Sequence, residues 1–388
     1  MTIDFDEIID RTQSQTVKYD ARKAVFGTED VMPLWVADMD FATPECVTAA
    51  LTQRAQHPIY GYSLYPESLF ESLQAWFQHR HGWTIDRQAI VMCSGVVPSI
   101  YAVILALTEV GDKVIVQPPI YPPFFTAVTD TERELVLNPL KLVGEEYQFD
   151  LDHLEQCAKE GGKLLALCSP HNPVGRVWRQ EELQAILSIA RQYQLIIIAD
   201  EIHADLIYPE QQHIPLATLI DLADDITVIT TVSPSKTFNI PGLGLSSLIV
   251  NDRQHRQAIN KVFASWHSNA VNPFSIVAFE AAYRGGEQWL DELMVYLAET
   301  QWQLTGFIEQ NIPKIKVIPS QGTYLIWLDC RGLELDDKAL KHLFIEQARI
   351  GLNAGISFGE QGSGFMRMNI AAPRSVIMRA LKQIQTVI

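Results

Sequence analysis

The chain has 388 residues, a formal net charge of −16 and a sequence pI of about 5.0. This length favours two domains over a single core, and 47% hydrophobic with 20% charged residues is ordinary for a soluble globular protein. The strongly acidic balance excludes nucleic-acid phosphate backbones and anionic membrane surfaces as expected partners.

The five cysteines are scattered along the chain and form no C-x-x-C pair. We therefore expect reduced thiols, no disulfide framework and no metal site. The sequence begins MTIDFDEIIDR, which is acidic where a signal peptide needs a basic start. The apolar runs, such as Leu195–Ala199, are far shorter than a membrane span. These features predict a cytoplasmic protein that does not bind membranes.

The middle of the chain alternates short apolar runs with amphipathic segments. The runs are rich in aliphatic residues and bounded by turn signals, which predicts buried strands; they are Lys113–Pro118, Leu164–Pro170, Leu195–Glu201 and Ile226–Ser233. Between them, Asp150–Gly162 and Arg179–Gln194 have the period of amphipathic helices. This alternation predicts an α/β fold with a mostly parallel sheet covered on both faces.

The last third of the chain changes to an α+β pattern. Residues 314–329 predict two strands around a Gly turn, residues 339–351 a helix, and residues 364–371 a further strand. We therefore predict a large domain over residues 42–285 and a smaller one over residues 286–388. Residues 1–41 are predicted to pack on the small domain.

Three segments in the first half of the chain present groups that suit a flat, phosphorylated ligand. Ser94–Ile100 opens an apolar helix pattern, so the backbone N–H groups of Val96 and Val97 suit an anion at a helix N-terminus. Tyr121, between prolines, can stack on a flat ring, although a core aromatic fits equally well. Asn172, in SPHNPVG, can donate to a ring oxygen or form a plain Asx turn.

Asp200 ends an aliphatic run, so its carboxylate is expected at the sheet edge where ligands bind in α/β folds. There it can pair with a cationic ring nitrogen, or it can simply cap a helix. His203, three residues later, can approach the same ring or serve as a structural histidine.

Lys236 follows a predicted strand and is flanked by Ser233 and Ser235. A lysine in such a polar loop suits a nucleophilic amine, with hydroxyls beside it for a phosphate, but a surface lysine also fits. Arg367 lies on an otherwise apolar strand, where burial is costly unless the guanidinium grips a carboxylate.

The order of Asn172, Asp200, Lys236 and Arg367, with gaps of 28, 36 and 131 positions, resembles the class I/II aminotransferase superfamily. These are fold type I enzymes that use pyridoxal 5′-phosphate (PLP). The resemblance covers almost the whole chain. It implies the aspartate-aminotransferase fold, with a large domain on a mostly parallel central sheet plus a smaller α+β domain, and it implies that Lys236 holds PLP as a Schiff base.

Finer features resemble one branch, the cystathionine β-lyase or C–S lyase group that includes the maltose-regulon modulator. The matching strings are PLWVADMDF, YGY, SGVVPSI, PPIYPPF, HNPVG, DEIHADL and SKTFNIPGL. Two departures from common aminotransferase patterns agree with this branch. Gly244 stands where many aminotransferases have a phosphate-binding arginine, and His203 stands where they often have tyrosine.

The resemblance implies a role for each candidate residue. Catalysis is expected from Lys236, Tyr121 and Asp200, and the substrate carboxylate is expected to bind Arg367, Tyr121 and the backbone near Val36 and Ala37. The cofactor is expected to contact Lys236, Asn172, Asp200, His203, Ser233, Ser235, Val96, Val97, Tyr121 and Tyr62. Tyr62, favoured over Tyr60, is expected to come from the neighbouring subunit, so a homodimer is implied.

The activity implied is β-elimination from L-cystathionine or related cysteine S-conjugates, which yields a thiol, pyruvate and ammonia. Transamination uses the same residues and stays open, as does a regulatory binding protein on the same fold. A nucleotide-linked dehydrogenase is excluded because no G-x-G-x-x-G follows an early strand. His79 and His81 of HRHG face different sides of a helix and are interpreted as surface residues rather than metal ligands.

Overall fold

A computed structural model of the chain describes residues 3–221, 224–267 and 272–388. Its strands are β1 Met32–Pro33, β2 Ile90–Cys93, β3 Lys113–Val116, β4 Glu134–Leu137, β5 Lys141–Val143, β6 Glu146–Gln148, β7 Gly162–Cys168, β8 Ile196–Asp200, β9 Val228–Val232, β10 Ser246–Val250, β11 Lys316–Val317, β12 Leu325–Asp329, β13 Ile350–Gly351, β14 Asn353–Ala354 and β15 Phe365–Asn369.

The helices are α1 Val17–Asp20, α2 Arg22–Phe26, α3 Glu45–Gln56, α4 Glu67–His81, α5 Val96–Leu107, α6 Pro123–Thr129, α7 Leu151–Lys159, α8 Gln180–Tyr193, α9 Pro234–Thr237, α10 Arg253–Ser265, α11 Pro273–Gly285, α12 Glu287–Asn311, α13 Asp337–His342 and α14 Arg374–Gln385. No helix within the described ranges is both long enough and apolar enough to cross a membrane.

The central sheet has seven strands in the order β2-β10-β9-β8-β7-β3-β4. Strands β9, β8, β7, β3 and β4 pair in parallel, and β10 runs antiparallel to both of its neighbours. Parallel strands need helical crossovers, which cover both sheet faces. The predicted α/β class with a mostly parallel sheet is confirmed.

The continuous apolar strands bury both of their faces. Along β8, Ile197 and Ala199 pack into one hydrophobic cluster, which includes residues of α7 and α8, while Ile198 packs into another. The second cluster includes residues of α5, α6 and α10. Because side chains alternate along a strand, a strand covered on both sides must be apolar at successive positions.

The four predicted central strands correspond to β3, β7, β8 and β9, and the two predicted helices to α7 and α8. Helix α7 begins where Asp150 accepts a hydrogen bond from the His153 N–H at 3.2 Å, as an N-cap aspartate does. The predicted helix in residues 339–351 is shorter in the structure. Helix α13 ends at His342. A π-helical turn over Leu343–Gln347 follows it, and strand β13 begins at Ile350.

A second sheet, antiparallel throughout, has the order β11-β12-β15-β14. The N-terminal segment joins this part of the chain through β1, which pairs in parallel with β13 so that Met32 lies opposite Ile350. The division into residues 1–41, 42–285 and 286–388 stays a prediction.

Candidate active site at the carboxyl edge of the central sheet

A cavity of about 260 Å³ lies beyond the ends of β7, β8 and β9. Ligand sites of open α/β sheets occur at this edge. The structure brings ten of the predicted site residues together around it: Ala37, Val96, Val97, Tyr121, Asn172, Asp200, His203, Ser233, Ser235 and Lys236. Cys168 and Gly244 also line it.

One end of the cavity has the chemistry of an anion site. Helix α5 begins at Val96, and no side chain caps its N-terminus, so its first backbone N–H groups are available to a ligand. The Ser233 hydroxyl donates to the Leu245 carbonyl at 2.9 Å and accepts from the Ser235 N–H at 3.1 Å. Because the hydroxyl proton of Ser233 is engaged within the loop, the hydroxyl of Ser235 is the stronger candidate for binding an anion.

Gly244 contributes no charge to this end of the cavity. Its φ is +44°, in the left-handed region that favours glycine, and a Cβ there would lie 3.2 Å from the Ser94 carbonyl oxygen. Among the described residues that line the cavity there is no arginine. An anion bound here therefore depends on backbone N–H groups, hydroxyls and any group supplied from outside the chain.

Asp200 and His203 are buried at the deep side of the cavity. The Asp200 carboxylate accepts one hydrogen bond, from the Ile202 N–H at 3.1 Å, and burial raises its pKa to about 7. Burial lowers the pKa of His203 to about 3, with the nearby charges of Lys236 and Arg367 acting in the same direction. The site thus holds a neutral imidazole beside a carboxylate that lacks a strong partner.

Lys236 is the amine of the site. Its Nζ donates to the Ala37 carbonyl oxygen at 2.6 Å. Burial lowers the pKa of Lys236 to about 8, and the charge of Arg367 acts in the same direction against those of Asp38 and Asp200. An amine that loses its proton near neutral pH suits both nucleophilic attack and proton transfer.

Arg367 lies on β15 and is 4% exposed, with its guanidinium held on several sides. Nη1 donates to Asn172 Oδ1 at 2.9 Å, and Nη2 donates to the Trp35 carbonyl at 2.9 Å and to Asn353 Oδ1 at 2.7 Å. The Phe358 ring lies 4.9 Å from the guanidinium carbon. Nε is buried without a partner among the described residues, so donors remain for a ligand carboxylate.

Asn172 and Tyr121 connect the two sides of the site. Because Asn172 Oδ1 accepts from Arg367, its amide N–H groups are left to donate elsewhere. The Tyr121 N–H donates to the Asn172 carbonyl at 3.2 Å. Burial raises the pKa of Tyr121, so its phenol stays protonated.

The segment Trp35–Met39 uses its carbonyls to hold the site together. The carbonyls of Val36 and Asp38 both accept from Asn369 Nδ2, at 2.6 and 2.7 Å. Because carbonyls accept hydrogen bonds and cannot donate them, only backbone N–H groups near Val36 and Ala37 can help to bind a substrate carboxylate.

An ion-pair cluster anchors this segment to the N-terminus. Lys18, which is fully buried, lies 2.9 Å from Asp40 Oδ2 and 3.7 Å from Asp38 Oδ1. Arg11 pairs with both carboxylates, at 2.7 Å to Asp38 and 2.6 Å to Asp40.

Arg367 and Val36 do not line the cavity but adjoin two residues that do, Asn172 and Ala37. Tyr62 is the predicted site residue that a single chain leaves on its surface. Its side chain is completely exposed, as is most of Leu64. Tyr60, by contrast, donates from its hydroxyl to the Ala55 carbonyl at 2.7 Å and packs on Phe274. Tyr60 thus bonds within its own chain, whereas the exposed side chain of Tyr62 can contact a second subunit.

Sequence reasoning missed several residues of the site: Trp35, Asn353, Phe358 and Tyr324. Trp35 lies within the string PLWVADMDF. Asn353 and Phe358 contact Arg367 through the folding of the second sheet and the turn beside it, and Tyr324 contacts Ala37 in a distant part of the chain, so none of the three carried a sequence signal. The interpretation of His81 as a surface residue is wrong. Its side chain is 7% exposed and its Nε2 lies 2.8 Å from Asp205, a buried carboxylate that also accepts from Thr237 beside Lys236.

The residues around the cavity fit PLP. The buried Asp200 carboxylate suits a cationic ring nitrogen, the start of α5 suits a phosphate, and Lys236 supplies the amine. Unpartnered polar atoms also remain at the site, since His203 Nδ1 is buried without a hydrogen bond among the described residues. Such atoms are uncommon in finished interiors and are typical of binding sites.

Comparison with known proteins identifies the family. The sequence profile described as "Aminotransferase class I and II" matches residues 29–384. The chain is 36% identical to cystathionine beta-lyase PatB of Bacillus subtilis (strain 168) over 384 residues, 99% of both chains. Its structure is similar to that of cystalysin from Treponema denticola, which contains a PLP cofactor (TM-score 0.94, 35% identity, 100% and 99% coverage), and to the PLP-bound C–S lyase from Staphylococcus hominis (0.92, 31%, 100% and 98%).

These similarities extend over the whole chain, and they confirm the predicted aspartate-aminotransferase fold and the predicted cofactor. The chain belongs to the aminotransferase class I and II family and is a PLP-dependent enzyme of its C–S lyase branch.

Proposed function

We propose that this protein cleaves the Cβ–S bond of L-cystathionine or a related cysteine S-conjugate and yields a thiol, pyruvate and ammonia. The observation that carries the proposal is the convergence on one cavity of the Lys236 amine, the Asp200 carboxylate and Asn172, whose side chain accepts a hydrogen bond from the adjoining Arg367. The names of the similar proteins, cystathionine beta-lyase and C–S lyase, support sulfur-bearing amino acids as substrates.

PLP, when bound, withdraws electrons from the substrate Cα. The protein's part is to keep the ring nitrogen positively charged, and buried Asp200 is the group suited to it. Among the described residues its carboxylate accepts one hydrogen bond, from the Ile202 N–H, so a bound cation would be its main partner. Neutral His203 adds no competing positive charge.

Arg367 binds the carboxylate of the substrate and thereby orients the substrate. Three of its five N–H donors are already fixed by Asn172, Trp35 and Asn353, which prevents the guanidinium from rotating. The remaining donors, including that on Nε, meet the carboxylate. Fixing one end of the substrate in this way presents the Cα–H bond to Lys236.

Lys236 moves the proton. It holds the cofactor before the substrate arrives, and once freed its Nζ removes the proton from Cα. The same Nζ then delivers that proton to the departing sulfur, which leaves as a thiol. The three-carbon remainder hydrolyses to pyruvate and ammonia. Proton transfer by a placed lysine contributes about 10²- to 10⁴-fold, so the bound cofactor supplies the rest of the acceleration.

The test is release of thiol and pyruvate from L-cystathionine by the PLP-loaded protein, with its absorbance spectrum recorded. Equal amounts of both products would support β-elimination, whereas accumulation of pyridoxamine phosphate without thiol would indicate transamination. A Lys236→Ala variant is expected to lose the spectrum of the bound cofactor and nearly all turnover. Retained turnover in that variant would refute the assignment, and no turnover of any amino acid by the parent protein would favour a regulatory binding role.

We also propose that the working unit is a homodimer in which Tyr62 reaches the phosphate of the neighbouring subunit's cofactor. Two observations support this arrangement: Tyr62 is completely exposed in one chain, and the described residues that line the cavity include no arginine.

Subunit mixing tests this arrangement. Lys236→Ala and Tyr62→Phe subunits would form hybrid dimers with one intact site. Random mixing would then give about one quarter of parental activity, from half of the dimers with half of their sites intact. Activity no higher than the average of the two unmixed variants would contradict it.

A further inference from the structure

The Ala37 carbonyl oxygen accepts two hydrogen bonds at once. One comes from Lys236 Nζ at 2.6 Å, and the other comes from the Tyr324 hydroxyl at 3.0 Å. The two donors reach the same oxygen from chain positions far apart, one after β9 and one directly before β12. Tyr324 is therefore a neighbour of the reacting amine.

Tyr324 is held firmly in this position. Its side chain is fully buried, and its ring packs edge-on against His203, with ring centroids 6.2 Å apart and an interplanar angle of 79°. The preceding residue, Thr323, has a φ of +69° and donates from its N–H to the Leu206 carbonyl at 2.7 Å. The carbonyl that Tyr324 contacts is equally fixed, because Asn369 holds the carbonyls on either side of it.

We propose that Tyr324 is a positioning residue that acts through the Ala37 carbonyl, which it shares with Lys236, and limits how strongly this carbonyl retains the protonated amine. The inference rests on the role proposed above for Lys236. It deepens that role by stating where the amine is held while it is free of the cofactor.

The chemistry of the shared acceptor explains the effect. A carbonyl accepts hydrogen bonds but cannot donate, so an amine bound to it keeps its lone pair for the substrate proton. The Tyr324 hydroxyl points its positive hydrogen at the same oxygen, and this disfavours a second positive group there. Burial raises the pKa of Tyr324, so its hydroxyl remains a donor.

The charged groups around Lys236 also change the pKa of its amine. The carboxylates of Asp38 and Asp200 favour the protonated amine, whereas Arg367 disfavours it. His203 is neutral, since burial lowers its pKa to about 3. Tyr324 thus adds to the effects of burial and of Arg367 in keeping the amine available as a base.

The first experiment compares Tyr324→Phe with Tyr208→Phe. Tyr208 is a matched control because it is also buried, and its hydroxyl has no partner among the described residues. In cofactor-free protein, competitive acetylation of Lys236 across pH, measured by peptide mass spectrometry, reports the pKa of its amine. We expect Tyr324→Phe to raise this pKa by about 0.5 to 1 pH unit and Tyr208→Phe to leave it unchanged.

The PLP-loaded variants give a second readout. Because the freed amine must be neutral to act as a base, the acid limb of the kcat profile should move to higher pH by the same amount in Tyr324→Phe. The KM should change less than about twofold, since the contacts of Arg367 are untouched.

An unchanged labelling pKa in a folded Tyr324→Phe protein would overturn the proposal. If that variant does not fold, 3-fluorotyrosine placed at position 324 keeps the ring and strengthens the donor, so the labelling pKa of Lys236 should fall; no change there would also overturn it. Turnover by Lys236→Ala would instead refute the proposed function, and the labelling result does not depend on turnover.

Discussion

Asp200 gives the sharpest test of how the site is built. Asp200 is 5% exposed, and within the described ranges its carboxylate accepts a single hydrogen bond, from the Ile202 N–H. In the cofactor-free protein, the ionised carboxylate is thus buried with no cationic side chain of the described residues in salt-bridge contact. We predict that Asp200→Asn stabilises the cofactor-free protein near neutral and alkaline pH while it weakens PLP binding.

The magnitude follows from the pKa of Asp200, which burial raises from its ordinary value of 3.8 to about 7. At about 1.4 kcal/mol per pH unit, this corresponds to a cost on the order of 4 kcal/mol above pH 7. Between pH 4 and 7 the folded protein binds this proton more tightly than the unfolded chain does. The stability of the parent protein therefore falls as pH rises through that window, and the asparagine variant lacks this fall.

The measurement is urea unfolding of cofactor-free protein from pH 4 to 9. The parent and Asp200→Asn curves should meet near pH 4 and separate up to about pH 7, with the variant more stable. Glu201→Gln is the matched control, because this neighbouring buried carboxylate has good partners, in His213 at 3.0 Å and the Leu216 N–H at 2.8 Å. The Glu201→Gln substitution should therefore lower the stability of the protein. Parallel pH curves for the parent and Asp200→Asn would refute the reasoning.

Two further predictions concern residues that fix other groups in place. Asn353→Ala removes one of the hydrogen bonds that hold Arg367, worth about 1.5 kcal/mol, so the KM for thiol release should rise about 10-fold while kcat changes less than about threefold. Lys18→Met removes a buried partner of Asp40; because Arg11 remains beside that carboxylate, we expect a loss of about 2–3 kcal/mol. In a chain of this length that loss corresponds to a fall in Tm of about 3 °C by calorimetry.

Exposed residues of the same types provide the controls. Asn311→Ala should leave the KM unchanged, because the exposed Asn311 amide donates to the Phe307 carbonyl and accepts from Gln385, neither of which lines the cavity. Lys23→Met should leave Tm unchanged because Lys23 is exposed. A fall in kcat without a rise in KM for Asn353→Ala, or equal Tm values for the two lysine variants, would contradict the positions assigned to these side chains.

The sequence by itself determined the sheet and much of the site. Apolar runs such as Leu195–Glu201 could be assigned as buried strands, because a strand covered on both faces must be apolar at successive positions. Asp200 and Lys236 could be located because both follow such runs, and the ends of parallel strands meet at one edge. Their order with Asn172 and Arg367 then pointed to the family.

Only the tertiary structure decided which atoms are free to act. Ser233 and Ser235 look equivalent in the sequence, but the hydroxyl proton of Ser233 is engaged with Leu245. Tyr60 and Tyr62 differ in the same way, since Tyr60 is bonded within its own chain and Tyr62 is fully exposed.

Tyr324 and Asn353 left no local signal at all. The partner of Tyr324 is Ala37, in the N-terminal segment, which meets the start of β12 only in the folded chain. Asn353 meets its partner Arg367 only when β14 pairs with β15. Hydrophobic periodicity reports which face of an element is buried, because burial depends on the residue's own side chain. A hydrogen bond between distant segments depends on how whole elements are placed against one another, and that placement arises only in the folded chain.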